Sequence, residues 1–159
     1  MFRSALLASF VCLAMTTPPV YAQDPTSLQV SAQGETSVSL TLAELDNLDQ
    51  VSITTTTIWT EGEITFTGPA LSSVLEAAEI KASHLALTAL NDYAIEMPAP
   101  DIGADYPIIA TRMDGKPMSV RDKGPFWIVF PYDSDDAFQS EEVFAQSIWQ
   151  LDRIEALDY

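Results

Sequence analysis

One cysteine, one histidine and seven basic residues are all that this 159-residue sequence holds of the side chains that offer a metal sulfur or imidazole, attack as a thiolate, or grip phosphates. Each scarcity excludes something. Cys12 lies in the apolar N-terminal run, so the rest of the chain has no disulfide, no thiol nucleophile and no thiolate to give a metal. One histidine without cysteine is a poor basis for a zinc site. His84 falls in an apolar strand context and reads as structural or exposed, and no serine sits in a G-x-S-x-G turn. Glycine is sparse, with six residues, and no glycine-rich phosphate loop occurs. Against the seven basic residues stand 23 acidic ones, a net charge of −16. Such a surface repels phosphate backbones and anionic lipid heads, which argues against nucleic-acid partners. The acidity reads as solubility in a saline extracytoplasmic setting.

The N-terminus has the plan of a secretory signal peptide over residues 1–22. Arg3 supplies the positive start, Ala5 to Met15 an apolar run too short for a permanent span, and Val20-Tyr21-Ala22 a small-residue cleavage site. The expected mature protein starts at Gln23, is periplasmic or otherwise secreted, and is not an integral membrane protein. Residues 23–36 are polar and read as a flexible leader; residues 37–159 read as one domain.

Within that domain the pattern is strand-dominated. A short strand over 36–40 precedes Thr41-Leu42-Ala43-Glu44, whose T-x-x-E spacing is that of a capping box and predicts a short helix. The β-branched run 51–59 reads as a strand that turns at Glu61-Gly62-Glu63 and returns over 64–67. Pro69 is expected to open a second helix, with Leu71, Val74, Leu75 and Ala78 on its apolar face. Strands follow over 84–90, 93–97 and 108–113, the last ended by the hairpin signal Asp114-Gly115. The continuously apolar 126–130 reads as a central buried strand, and 148–157 as a final one. The acidic run Asp133-Ser134-Asp135-Asp136 lacks a calcium loop's glycine and glutamate, since Phe138 and Phe144 hold those positions, so it reads as a solvated loop leading to a short helix. The sum is an α+β domain: a mixed sheet with two or three short helices.

One group of residues has two readings. Asn91-Asp92-Tyr93 lies between apolar strands and either makes ordinary turn chemistry or faces a cleft. Trp59, Trp127, Tyr132 and Trp149 either pack in the core or wall that cleft.

Five segments in order resemble one family. Phe66-Thr67-Gly68-Pro69-Ala70-Leu71-Ser72-Ser73-Val74-Leu75 is similar to an F/W-x-G-x-x-L-x-x-[LV]-L element. Asn91-Asp92-Tyr93 with Pro98 resembles D-G-Y…P, and Asp114 to Met118 resembles N/D-G-x-P-L. The segments 123–131 and 148–155 resemble an h-G-x-P-x-R-x-x-x-P stretch and a v-K-W-L-x-x-I-x strand. The family is the oxidoreductase molybdopterin-binding domain, the fold of sulfite oxidase and the periplasmic methionine-sulfoxide reductase catalytic subunit. The resemblance implies that fold, a molybdopterin cofactor, and a molybdenum-ligating cysteine on the strand before the F/W-x-G element.

This sequence departs from the family at those positions. The stretch expected to carry the cysteine is Thr54-Thr55-Thr56-Thr57-Ile58-Trp59. Trp127 stands where the resemblance expects a cofactor-holding arginine, and Ile148 where it expects a lysine. Arg121 and Lys123 alone remain near the expected phosphate region. Two functions are therefore carried forward. One is a degenerate, non-catalytic module binding a small molecule or another extracytoplasmic or membrane protein, with Trp59, Asn91, Asp92, Tyr93, Arg112, Arg121, Lys123 and Trp127 as the candidate pocket and no cofactor. The other is a molybdopterin-dependent oxidoreductase acting on a small oxyanion or sulfoxide.

Overall fold

The computed structural model describes residues 26–157, so the signal-peptide reading lies outside the described residues. Eleven strands and three short α-helices follow one another within that range. In chain order they are β1 (Ser27–Ala32), β2 (Val38–Thr41), α1 (Leu42–Asp46), β3 (Gln50–Thr55), β4 (Ile64–Pro69), α2 (Leu71–Ala77), β5 (His84–Ala89) and β6 (Ala94–Pro98). Then come β7 (Ile108–Ala110), β8 (Arg112–Met113), β9 (Lys116–Pro117), β10 (Trp127–Val129), α3 (Glu141–Gln146) and β11 (Leu151–Leu157). No helix among the described residues is long and apolar enough to cross a membrane.

The strands form three sheets. Five of them run in the order β2-β1-β11-β5-β6, four in the order β3-β4-β8-β9, and β10 and β7 form a two-stranded sheet. The fold is thus the expected strand-dominated α+β type, with β1 and β11 parallel and the other pairs antiparallel. Leu28, Val30, Phe66, Leu71, Leu85, Leu87, Trp127 and Phe130 belong to one continuous core.

Residues 27–32 correct the flexible-leader expectation, because they form an inner strand of the five-stranded sheet. Leu28 and Val30 are completely buried. The segment looks polar because Gln29 stands between them, yet its amide nitrogen donates to the Ser27 and Ser39 hydroxyls and its oxygen accepts from Ser37. A buried polar side chain satisfied in this way is compatible with a sheet interior.

Several local signals work as expected. The Thr41 hydroxyl accepts from the Glu44 backbone N–H while the Glu44 carboxylate accepts from the Thr41 N–H, so both halves of the capping box are present. Asp114 and Gly115 both adopt positive φ, at 49° and 74°, and close the β8–β9 hairpin. Pro69 ends β4 instead of opening α2; the helix starts after Ala70, and its first N–H, on Leu71, donates to the Pro107 carbonyl.

Longer-range pairing divides two of the expected strands. The run 108–113 splits at Thr111, whose N–H and hydroxyl both reach the Thr67 carbonyl and carry the chain from the β7–β10 pair to β4. The run 126–130 is buried as expected but is not a central strand of a large sheet, because β10 has only three residues, pairs with β7 on one side and has only an isolated bridge from Trp127 to Trp149 on the other. β4 lies so close to β7 that a side chain at Gly68 would overlap the Ile109 carbonyl, which explains the glycine of the F-x-G element.

Candidate functional site: an aromatic cleft

The described residues enclose a half-open cavity of about 350 Å³ at the end of α3. It is lined by Trp59, Asn91, Tyr93, Phe144, Trp149 and Gln150, with Ile148 and the small side chains of Ala89, Ala145 and Ser147 between them. Three separate parts of the chain supply these walls.

The first is the turn after β3. The Thr57 hydroxyl accepts from the Trp59 N–H and shares a 2.7 Å hydrogen bond with the Thr60 hydroxyl. The turn is tied down from across the fold by Asp133, whose carboxylate accepts from the Thr56 N–H and hydroxyl. These donors hold the Asp133 carboxyl below its ordinary value, the Thr56 N–H contributing most. So fixed, the Trp59 ring meets Trp127, Tyr132, Phe144 and Trp149 edge-on, with centroids 5.6–6.2 Å apart.

The second part is the β5–β6 turn. Asn91 Oδ1 accepts from the Tyr93 N–H, and Asp92 takes a left-handed conformation at φ 63°. This is ordinary asparagine turn chemistry. It also faces the cleft, so both readings of the segment hold together. Asp92 itself is turned away: its carboxylate pairs with Arg153 at 2.8 Å and it does not line the cavity.

The third part runs from α3 into β11. Ser140 caps α3 by accepting from the Val143 N–H, and Phe144 packs against Trp59 and Tyr132. Gln150 has a positive φ of 53°, and its backbone bonds to Lys123 and Leu90, which sets Trp149 at the cleft wall. Behind the cleft, the Tyr132 hydroxyl donates to the Ser147 hydroxyl and Trp127 Nε1 donates to the Ser147 carbonyl. Burial pushes the Tyr132 phenol up to about 12.

The structure brings together Trp59, Asn91 and Tyr93 of the expected pocket and places the other residues elsewhere. Trp127 is fully buried behind Trp59. Lys123 holds its ammonium 5.8 and 5.9 Å from the Trp127 and Trp149 rings, beside the cleft and outside its lining. Arg121 lies in an exposed turn. Arg112 belongs to the four-stranded sheet and grips both carboxylate oxygens of Asp46, an arrangement that lowers the aspartate's pKa and raises the arginine's. Sequence reasoning missed Phe144 and Gln150. Phe144 falls in the short helix expected after the acidic loop 133–142, where no signal says which residue meets a cleft, and nothing local marks Gln150.

Mixed sheets on one core, with α3 and the β5–β6 turn meeting over an aromatic cleft, make up an α+β domain. The family model of the oxidoreductase molybdopterin binding domain matches residues 14–133, and the chain belongs to that family. No curated protein matches it. Among solved structures it is similar to the sulfane dehydrogenase SoxCD from Paracoccus pantotrophus, with a TM-score of 0.64 and 15% identity. That likeness covers 87% of this chain and 40% of the other, so this chain spans less than half of the protein it resembles.

The residues present do not fit the family's cofactor. In the threonine stretch, Thr54 bonds to Thr65, Thr55 to Thr56 and Asp133, Thr56 to Asp133, and Thr57 to Thr60. Each hydroxyl is thus engaged within the protein, and a hydroxyl is in any case a poor substitute for a soft thiolate. The Asp133 carboxylate brings negative charge to that stretch. Arg112 and Arg153 are paired with aspartates, and Trp127 and Ile148 stand where the cofactor-holding arginine and lysine are expected, which leaves Arg121 and Lys123 as the basic residues near the expected phosphate region. Among the described residues no group of three or more His, Cys, Asp or Glu is placed to hold a metal ion.

Proposed function

We propose that this chain is an exported, non-catalytic binding module that keeps the fold of its family and not its molybdenum chemistry. The cleft between Trp59, Tyr93 and Trp149 takes a small molecule, or an apolar side chain of another extracytoplasmic or membrane protein. One observation carries the reading: the threonines that stand where the cofactor's cysteine is expected have their hydroxyls hydrogen-bonded within the protein, while the aromatic cleft stands open. Its size suits a small ligand, and its composition of apolar walls with a few amide groups is that of a recognition site.

The second reading, a molybdopterin-dependent oxidoreductase acting on a small oxyanion or sulfoxide, is favoured by the family match. It needs an oxygen ligand in place of sulfur and a basic pocket. The two readings separate on the pterin. Protein purified from a host that makes the cofactor is denatured and examined for pterin fluorescence. The binding-module reading expects none above a cofactor-free control, and a stoichiometric signal overturns it. Export is tested in the same preparation by the mass of the mature chain, expected to start at Gln23.

A further inference from the structure

We infer that the cleft is built for an uncharged, flat ring compound bearing a hydrogen-bonding group. The inference rests on the binding-module reading and adds the ligand's chemical class. Phe144, Trp149 and Gln150 all lie beyond residue 133, where the family match ends, so a large part of the lining comes from outside the matched span.

Ring shape follows from the walls. Trp59 already meets Phe144 and Trp149 at interplanar angles of 85° and 71°. Aromatic rings attract one another edge to face because the ring edge is positive and the face negative. A ligand ring placed between Trp59, Tyr93 and Trp149 extends this packing, whereas a saturated ring of equal size gains only the burial of its surface. Trp149 and Tyr93 stay partly exposed, at 37% and 52%, which leaves aromatic surface for a ligand to cover.

Neutrality follows from the charges. Among the described residues no lysine, arginine, histidine, aspartate or glutamate lines the cavity. An ion of either sign would leave water without a charged partner in the lining, and for an anion the field of a chain carrying −16 opposes the attraction of Lys123 beside the cleft. A cation would be drawn to the tryptophan faces, but the Lys123 ammonium already sits at those of Trp127 and Trp149 and repels a second positive charge. The hydrogen-bonding group follows from the amides. Asn91 Oδ1 is taken by the Tyr93 N–H and Gln150 Nε2 by the Val120 carbonyl. The Asn91 amide nitrogen is left to donate and the Gln150 amide oxygen to accept.

The test follows the indole N–H resonances of the three tryptophans by NMR during titration of the full mature chain with four probes. These are 2-naphthol, decahydro-2-naphthol, 2-naphthoate and N-methylquinolinium. The expected result is that 2-naphthol shifts the Trp59 and Trp149 signals more than that of Trp127, whose Nε1 is bonded inside the core. The saturated alcohol and both ions bind several-fold to about tenfold more weakly. Equal binding of the saturated alcohol, or tighter binding of either ion, overturns the ligand class and leaves the binding-module reading standing. No shift with any probe also overturns this inference, and the binding-module reading then depends on the pterin measurement alone.

Discussion

Asp133 accepts from both the backbone N–H of Thr56, at 2.5 Å, and its hydroxyl, at 2.7 Å, across 77 residues of sequence. The contact ties the end of β3 to the segment after β10 and sets the turn that carries Trp59. It also puts a carboxylate in the stretch where the family resemblance expects a metal-bound thiolate.

The first expected outcome concerns acid. Asp133 and Glu44 both titrate below their ordinary values of 3.8 and 4.5, each held down chiefly by a backbone N–H. A lowered native pKa means that the ionised form favours the folded state. The contribution is therefore present above the ordinary value and is lost as pH falls through the native one. Melting temperature should drop as pH falls below 4.5 and then 3.8. The drop should be shallower in Asp133→Asn, which should also alter Trp59 fluorescence at neutral pH. An unchanged acid profile in that variant contradicts the role given to the contact.

At the alkaline end the group to watch is Tyr132. Its native pKa is raised from 10.0 to about 12, so the neutral phenol favours the fold. That contribution is whole below pH 10 and is lost as pH rises through about 12. Ultraviolet titration should show a late tyrosine phase at about pH 12. Tyr132→Phe should remove the late phase and lower stability by about 1 kcal/mol, through the lost hydrogen bond to Ser147.

Arg112 separates the structural account from the sequence reading. As the partner of Asp46 it joins α1 to the four-stranded sheet and stands apart from the cleft lining. Arg112→Ala should lower stability by about 1 kcal/mol in chemical denaturation, the upper end for a partly exposed pair. It should leave the affinity for 2-naphthol unchanged. A large loss of affinity would restore Arg112 to the site.

Gly68→Ala tests the close approach of β4 to β7. A methyl group at that position meets the backbone carbonyl of Ile109, which cannot rotate away. Destabilisation of about 3 kcal/mol or failure to fold is expected. A variant with wild-type melting would show that the two strands can separate freely.

What the sequence alone disclosed and what it hid have physical reasons. Thr41 to Glu44 and Asp114-Gly115 are local devices whose partners lie within a few residues, so spacing is enough to find them. The strand around Leu28 and Val30 stayed hidden because Gln29 looks solvated until Ser37 and Ser39 are brought beside it. The same limit applies to the site. Trp59, Asn91 and Tyr93 stand out by residue type, whereas Phe144 and Gln150 reach the cleft only through the folding of α3 against Trp59 and the bonding of Gln150 to Lys123 and Leu90. Arginines draw attention as anion ligands, and nothing in sequence shows that Asp46 has already taken Arg112.

The most direct measurement is the molybdenum content of the mature protein, determined by elemental analysis after expression in a host that makes the cofactor. The account expects no stoichiometric molybdenum, because the threonine stretch has spent its hydroxyls on itself and on Asp133. One molybdenum atom per chain would contradict it.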